Sequence, residues 1–330
     1  MSEAAPRTAP RSDLIPLRRL REAYLHLTNR CASGCRHCYA STSPLLKFRE
    51  LSAPAWRQAI DDLVALGAEN LVFIGGDPFQ REDIFELIEH VTQHHELALR
   101  IFYNRHVTPE CAQRLLEAGN SRLTMVVSLE GHEPAVNDIV RGEGNFERTL
   151  AGLRNLLAVG LVPVVNTFVH SGNVDHLPDL ASFLDDLGIE RQHLLLPHNR
   201  GHIRRSPELI PSPDRLVGGF RRLRQSLEDT GLFVDNFAAW ERRLEGGYDL
   251  CNAGYDLITI GPEGDVYPCQ VTVGDRNFLA GSIKEQPLEE IWRHSPVMRW
   301  VRGASIRCND TCMDCSLRSV CGGECPVQSY

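Results

Sequence analysis

From residue 23 to 229, apolar runs of strand length alternate with stretches whose apolar positions return every three or four residues. The short runs fall at 24–27, 71–74, 98–103, 123–127, 162–169 and 193–196. Several are apolar at consecutive positions, as strands covered on both faces are. Between them lie stripes such as Trp56, Ile60, Leu63 and Val64, or Leu177, Leu180, Leu184 and Leu187. Two more are built on Ile84, Leu87, Ile88 and Val91 and on Leu150, Leu153, Leu156 and Leu157. This spacing predicts amphipathic helices, and the alternation is that of parallel β/α units. Six units fall short of the eight that close a TIM barrel. The expectation is therefore an α/β fold, a partial (β/α)6 TIM-type barrel of parallel strands, with chemistry on loops at the C-terminal strand ends.

After a helix near 215–227 the pattern gives way to short Gly-, Pro- and Cys-rich pieces, which predicts a second, smaller module. Its apolar pattern is too thin for burial alone to hold it, so metal is expected to staple it. Residues 1–22 mix Ala, Pro, Arg, Glu and Asp without an apolar h-region, and read as a flexible arm rather than a secretion signal. The expected division is an arm at 1–22, the barrel at 23–231 and the Cys-rich module at 232–330.

Composition changes the picture in two ways. Net charge is −8, with no Lys/Arg block beyond pairs such as Arg221–Arg222 and Arg242–Arg243, which argues against nucleic acid as the main partner. No apolar run approaches the roughly 20 residues of a membrane span, so a cytoplasmic protein acting on a peptide or a small molecule is expected. Eleven cysteines then become informative, because thiols kept reduced tend to be metal ligands or catalysts rather than disulfides.

Three of them form Cys31-Ala-Ser-Gly-Cys35-Arg-His-Cys38-Tyr39, a C-x3-C-x2-C loop directly after the first strand. Three thiolates on a short loop suit a [4Fe–4S] cube whose fourth iron is left for another ligand. The same residues with His37 would also make a tetrahedral Cys3His zinc site, and the loop by itself leaves both open.

The loop, its place after the first strand and the aromatic Tyr39 resemble the radical S-adenosylmethionine (SAM) superfamily. The resemblance implies that Cys31, Cys35 and Cys38 hold the cluster, and that its free iron chelates SAM. Reductive cleavage of SAM then gives a 5′-deoxyadenosyl radical that abstracts hydrogen from a substrate. Gly75-Gly76-Asp77-Pro78, at the end of the second strand, is similar to the family's Gly-Gly-Glu-Pro motif for the SAM amino group, with Asp77 shorter than the usual Glu. Ser128 and Arg141, in the fourth-strand region, are implied contacts to ribose and carboxylate. Asn166 on the fifth strand and the turn Pro197-His198-Asn199-Arg200-Gly201 face the same barrel end and could touch adenosine or substrate.

The C-terminal series Cys251, Cys269, Cys308, Cys312, Cys315, Cys321 and Cys325 resembles the SPASM extension of that superfamily, which holds two auxiliary iron–sulfur clusters. It implies Cys308, Cys312, Cys315 and Cys321 on one cluster and Cys251, Cys269 and Cys325 on the other, whose fourth position has no cysteine. Zinc is the alternative occupant of this module. Cys111, with Ala112, Leu115 and Leu116 around it, reads as a small buried helix residue, and alternatively as a hydrogen-atom donor. The resemblance points first to oxidative maturation of a ribosomally made peptide, presented by a separate protein and driven by a flavodoxin- or ferredoxin-type reductant. The alternatives are dehydrogenation, epimerisation or decarboxylation of a small sugar, aminocyclitol or nucleoside, and a non-catalytic iron–sulfur or zinc scaffold.

Overall fold

A computed structural model describes residues 19–40, 49–95, 97–103, 107–198, 200–235, 251–303 and 325. Six strands follow one another in parallel: β1 (Glu22–His26), β2 (Asn70–Ile74), β3 (Ala98–Tyr103), β4 (Leu123–Ser128), β5 (Val164–Phe168) and β6 (Arg191–Leu195). Each pairs with the next, which is the strand order of a TIM-type barrel left open. The helices that cover it are α1 (Ala53–Ala65), α2 (Ile84–Glu89), α3 (Pro109–Ala118), α4 (Pro134–Arg141), α5 (Asn145–Ala158), α6 (Leu177–Asp186) and α7 (Pro213–Ser226).

Local chemistry sets the helix starts. Ser52, Thr108 and Ser212 each accept a backbone N–H of the first turn, from Ala55, Cys111 and Arg215, and each is followed within two residues by proline. A hydroxyl cap satisfies a donor that the first turn leaves unpaired, and proline there loses nothing, having no N–H to give. Val91, the last member of the α2 stripe, falls in a single π turn (His90–His95) rather than in the α-helix.

Side chains alternate across the sheet. Leu25, Phe73, Ile101 and Val127 point outward into a core shared with Trp56, Ile60 and Leu153 of the helices. The alternate positions face the inside of the barrel, where register sets Ser128 beside Asn166 and Asn166 beside His193.

The second module is also held by the sheet and the core of the barrel. Its first long strand, β8 (Leu257–Ile260), is buried throughout and pairs in parallel with β1, from Glu22 opposite Leu257 to Leu25 opposite Ile260. β9 (Asp265–Tyr267) and β10 (Gly281–Ser282) continue the same sheet antiparallel. Ile258 and Ile260, with Leu288, Ile291 and Trp292 of α8 (Leu288–His294), enter the main core, and α9 (Pro296–Gly303) adds Met298. Backbone pairing and burial therefore hold this part to the barrel, because an open barrel leaves the β1 edge with unpaired N–H and C=O groups that β8 satisfies. At the opposite edge β7 (Phe233–Val234), just past the expected boundary, pairs with β6. Among the described residues no helix is long and apolar enough to cross a membrane.

Candidate functional site

The cysteine loop leaves β1 at its C-terminal end and is clamped from three sides. On the first, Gly76 N–H donates to Thr28 O at 2.6 Å and Asp77 N–H to Arg30 O at 2.9 Å. A Cβ on Gly76 would lie 2.3 Å from Arg30 O, and one on Gly75, at φ +150°, 2.4 Å from Thr28 O. The paired glycines are thus required by the loop's own backbone, which passes where a side chain would be. Pro78 follows in a 3-10 turn, and Asp77, fully buried, caps that turn by accepting Phe79 N–H at 3.0 Å. On the second side, Arg36 N–H donates to Val140 O of α4 at 2.9 Å. On the third, His202 bonds the carbonyls of Cys38 and Cys35 from the turn after β6, where Gly201 has no room for a Cβ against Cys38 O.

Cys31 and Cys35 are buried and Cys38 half-buried. Burial pushes both buried thiols up, above the usual cysteine range. Two donors oppose this. Ser33 N–H points at Cys31 Sγ at 3.4 Å, and Arg141 Nη1 at Cys35 Sγ at 3.6 Å. Arg141 is itself buried, and burial works against its charge. Glu130, fully buried, outweighs that by accepting Nε at 2.8 Å and Nη2 at 2.6 Å, and the net effect raises the guanidinium's pKa. Donors aimed at sulfur stabilise thiolates and tune the metal that thiolates hold.

Nearby, His37 stacks on Phe168 at 4.4 Å, and His170 lies on the same ring at 6.2 Å. Burial keeps both imidazoles neutral, His37 well below its usual range and His170 at about 4. Tyr39, whose phenol burial also pushes up, lies in electrostatic range of Tyr24 and Cys269. This connects the loop to the C-terminal cysteines. Cys251, Cys269 and Cys325 meet in one apolar cluster with Ala253, Tyr267 and Phe278. Burial, then Cys251 and Cys325, push the Cys269 thiol up to about 12. Three thiols so crowded need a cation to ionise together. Cys308, Cys312, Cys315 and Cys321 lie outside the described residues, as does Asn199.

The Radical SAM superfamily profile matches residues 25–184, and the SPASM iron–sulfur cluster-binding profile matches 251–316. A mycofactocin maturase, MftC, of Mycolicibacterium smegmatis is 30% identical over 92% of this chain and 77% of its own length. An AdoMet-dependent heme synthase of Methanosarcina barkeri is 28% identical over 92% of this chain and 90% of its own. Streptococcus suis SuiB, solved with its precursor peptide SuiA, superposes with a TM-score of 0.77 at 17% identity, covering 94% of this chain and 72% of that one.

The chain belongs to the radical SAM superfamily.

As a radical SAM enzyme with a SPASM module it uses a [4Fe–4S] cluster, SAM and auxiliary iron–sulfur centres. The donor set of the loop fits the first of these. A tetrahedral zinc ion holds its sulfurs at about 2.3 Å and so brings ligand atoms within about 4 Å of one another. Two groups of three ligating side chains approach within 4.8 Å among the described residues, Asp61–His90–His95 and His132–His176–Asp179, and neither contains a cysteine of this loop. His37 stacks on Phe168, and its buried Nδ1 has no hydrogen-bond partner among the described residues. Three cysteine sulfurs on one loop are the donor set of a cube that leaves one iron for another ligand.

The structure brings Cys31, Cys35, Cys38, Gly75, Gly76, Asp77, Pro78 and Arg141 together around the loop, while Ser128 and Asn166 lie side by side on the inner face of the sheet. Cys111 is not among them, although its thiol lies in electrostatic range of Asp77. It sits in the first turn of α3 with its N–H on the Thr108 cap, half-buried against the outer core, a placement that fits a packing residue. Two residues had no role assigned from sequence. Glu130 was visible two residues after Ser128, but its pairing with Arg141 depends on the turn between β4 and α4. His193 continues the Ser128–Asn166 row, and burial lowers its pKa. Its signal is parity: it alternates with Leu194, which packs outward.

Proposed function

We propose that this radical SAM enzyme carries out oxidative maturation of a ribosomally made peptide. The reading rests on one observation, the 30% identity to a mycofactocin maturase across 92% of the chain; the SuiB fold solved with a precursor peptide is consistent with it. Cys31, Cys35 and Cys38 would hold the SAM-binding cube, whose reductive cleavage of SAM supplies the radical. Arg141 and Ser33 direct donors at the liganding sulfurs, Gly75 and Gly76 keep the loop against β2, and Ser128 and Asn166 offer hydrogen bonds to the bound nucleoside. Cys251, Cys269 and Cys325 would hold one auxiliary cluster and Cys308, Cys312, Cys315 and Cys321 the other, about twelve irons per chain when all three are cubes. Such clusters can take the electron that an oxidative outcome leaves behind. A flavodoxin- or ferredoxin-type reductant and a separate peptide-presenting protein complete the scheme.

A small-molecule substrate is the second reading, favoured by the heme synthase, of which this chain covers 90%. Anaerobic turnover with SAM and dithionite separates the two. The enzyme releases 5′-deoxyadenosine and methionine, and a genuine precursor peptide raises that release and loses hydrogen in its mass spectrum. Release stimulated by a porphyrin precursor or a sugar, with no peptide active, would reverse the order of the readings.

A further inference from the structure

Another group of ligating side chains lies in the outer helical layer, away from every cysteine. Asp61 is on α1, and His90 and His95 are the first and last residues of the π turn that prolongs α2. In a π turn the backbone bonds run between residues i and i+5, so these two histidines come to lie on one side. In an α-helix the same spacing would turn them about 140° apart. Both aim Nε2 at one oxygen, Asp61 Oδ1, at 2.8 Å from His90 and 2.7 Å from His95. All three ligand atoms lie within 4.8 Å of one another. The turn is strapped in place: Thr92 Oγ1 donates to Ala118 O at 2.6 Å, and Asn120 Nδ2 donates to Thr92 O at 3.0 Å. The imidazoles are 15% and 21% exposed, whereas the carboxylate is 44% exposed and open to solvent.

We propose that Asp61, His90 and His95 bind one divalent first-row transition ion of the zinc or iron(II) class, separately from the iron–sulfur centres. Two imidazoles and one carboxylate on a single face are the ligands such ions prefer, and oxygen-seeking magnesium or calcium would gain little from them. The ion takes the place between the imidazoles that Oδ1 holds, and the exposed carboxylate turns aside to remain a ligand while water fills the other positions. Bound there, it ties the second half of α1 to the end of α2, a clip between two helices that otherwise meet through apolar packing and the exposed Arg57–Glu86 ion pair. A π turn is a rare winding found mostly at functional sites, and a bound ion gives a physical reason for keeping it.

The test uses the reconstituted holoenzyme, desalted under anaerobic conditions and titrated with zinc chloride, with metals counted by mass spectrometry and Tm followed in parallel. One zinc per chain is expected beyond the iron, with a rise in Tm. His90→Ala and His95→Ala should each lose both the zinc and the rise while keeping the iron content and iron–sulfur absorption that show the fold intact. Should His90→Ala lose its iron, His95→Ala at the end of the turn carries the reading. Equal zinc uptake by parent and variants, no uptake beyond the iron, or uptake matched by iron loss would each overturn the proposal.

Discussion

A guanidinium buried beside a sulfur needs a countercharge, and Arg141 has one in Glu130, whose two oxygens it engages through two nitrogens. Removing one partner of such a pair leaves an uncompensated charge in a dry site, at a cost of about 3–5 kcal/mol. Glu130→Gln is therefore expected to lower the unfolding free energy from denaturant titration by that much and to reduce iron retained by the loop, since Arg141 then no longer holds its aim at Cys35. Equal stability and iron content in the variant would show that the pair is not needed. The buried histidines give a pH prediction. His26 and His170 are each held by burial at about 4 rather than 6.5. Between those values the unfolded chain takes up protons that the folded one refuses. Stability is full above about pH 6.5 and falls as pH drops toward 4, by up to about 1.4 kcal/mol per unit for each group. Denaturant midpoints measured across that window should slope, and His170→Gln should flatten the slope.

At the scale of elements, the Gly75-Gly76 strand end shows why a motif can be legible while its reason is not. The sequence marks a place where the backbone must be bare. Only the packing reveals that the loop between Thr28 and Cys31, and not solely a ligand, occupies the space. Gly76→Ala, with its Cβ 2.3 Å from Arg30 O, must push β2 and the loop apart. An overpacking cost of about 1–3 kcal/mol, seen as a lower Tm, should accompany loss of iron from the loop. Helix positions were readable because apolar spacing and hydroxyl–proline caps are local signals. The π turn was not, because its backbone winding is fixed by bonds to Ala118 at the end of α3 and to Asn120 beyond it.

For the whole molecule, the sheet order β10-β9-β8-β1-β2 joins the SPASM strands to the barrel without a seam. One cooperative unfolding transition is expected by calorimetry, and two resolved transitions would count against a shared core. Cys269→Ala should cost about four irons yet leave a loop cluster that still responds to SAM. That variant should also unfold at lower temperature throughout, because β8 lies between Cys251 and Cys269 and pairs with the strand that leads into the loop. The chain's own order of residues determined the β/α alternation, the cluster loop and the cysteine-rich end, since periodicity, caps and ligand spacing are written within a few neighbouring positions. Tertiary structure alone decided that Arg141 answers to Glu130, that His193 joins Ser128 and Asn166, and that the C-terminal strands finish the β1 edge. Those pairings join residues far apart in sequence or across a turn, and it is the twist and register of the sheet that bring them into contact.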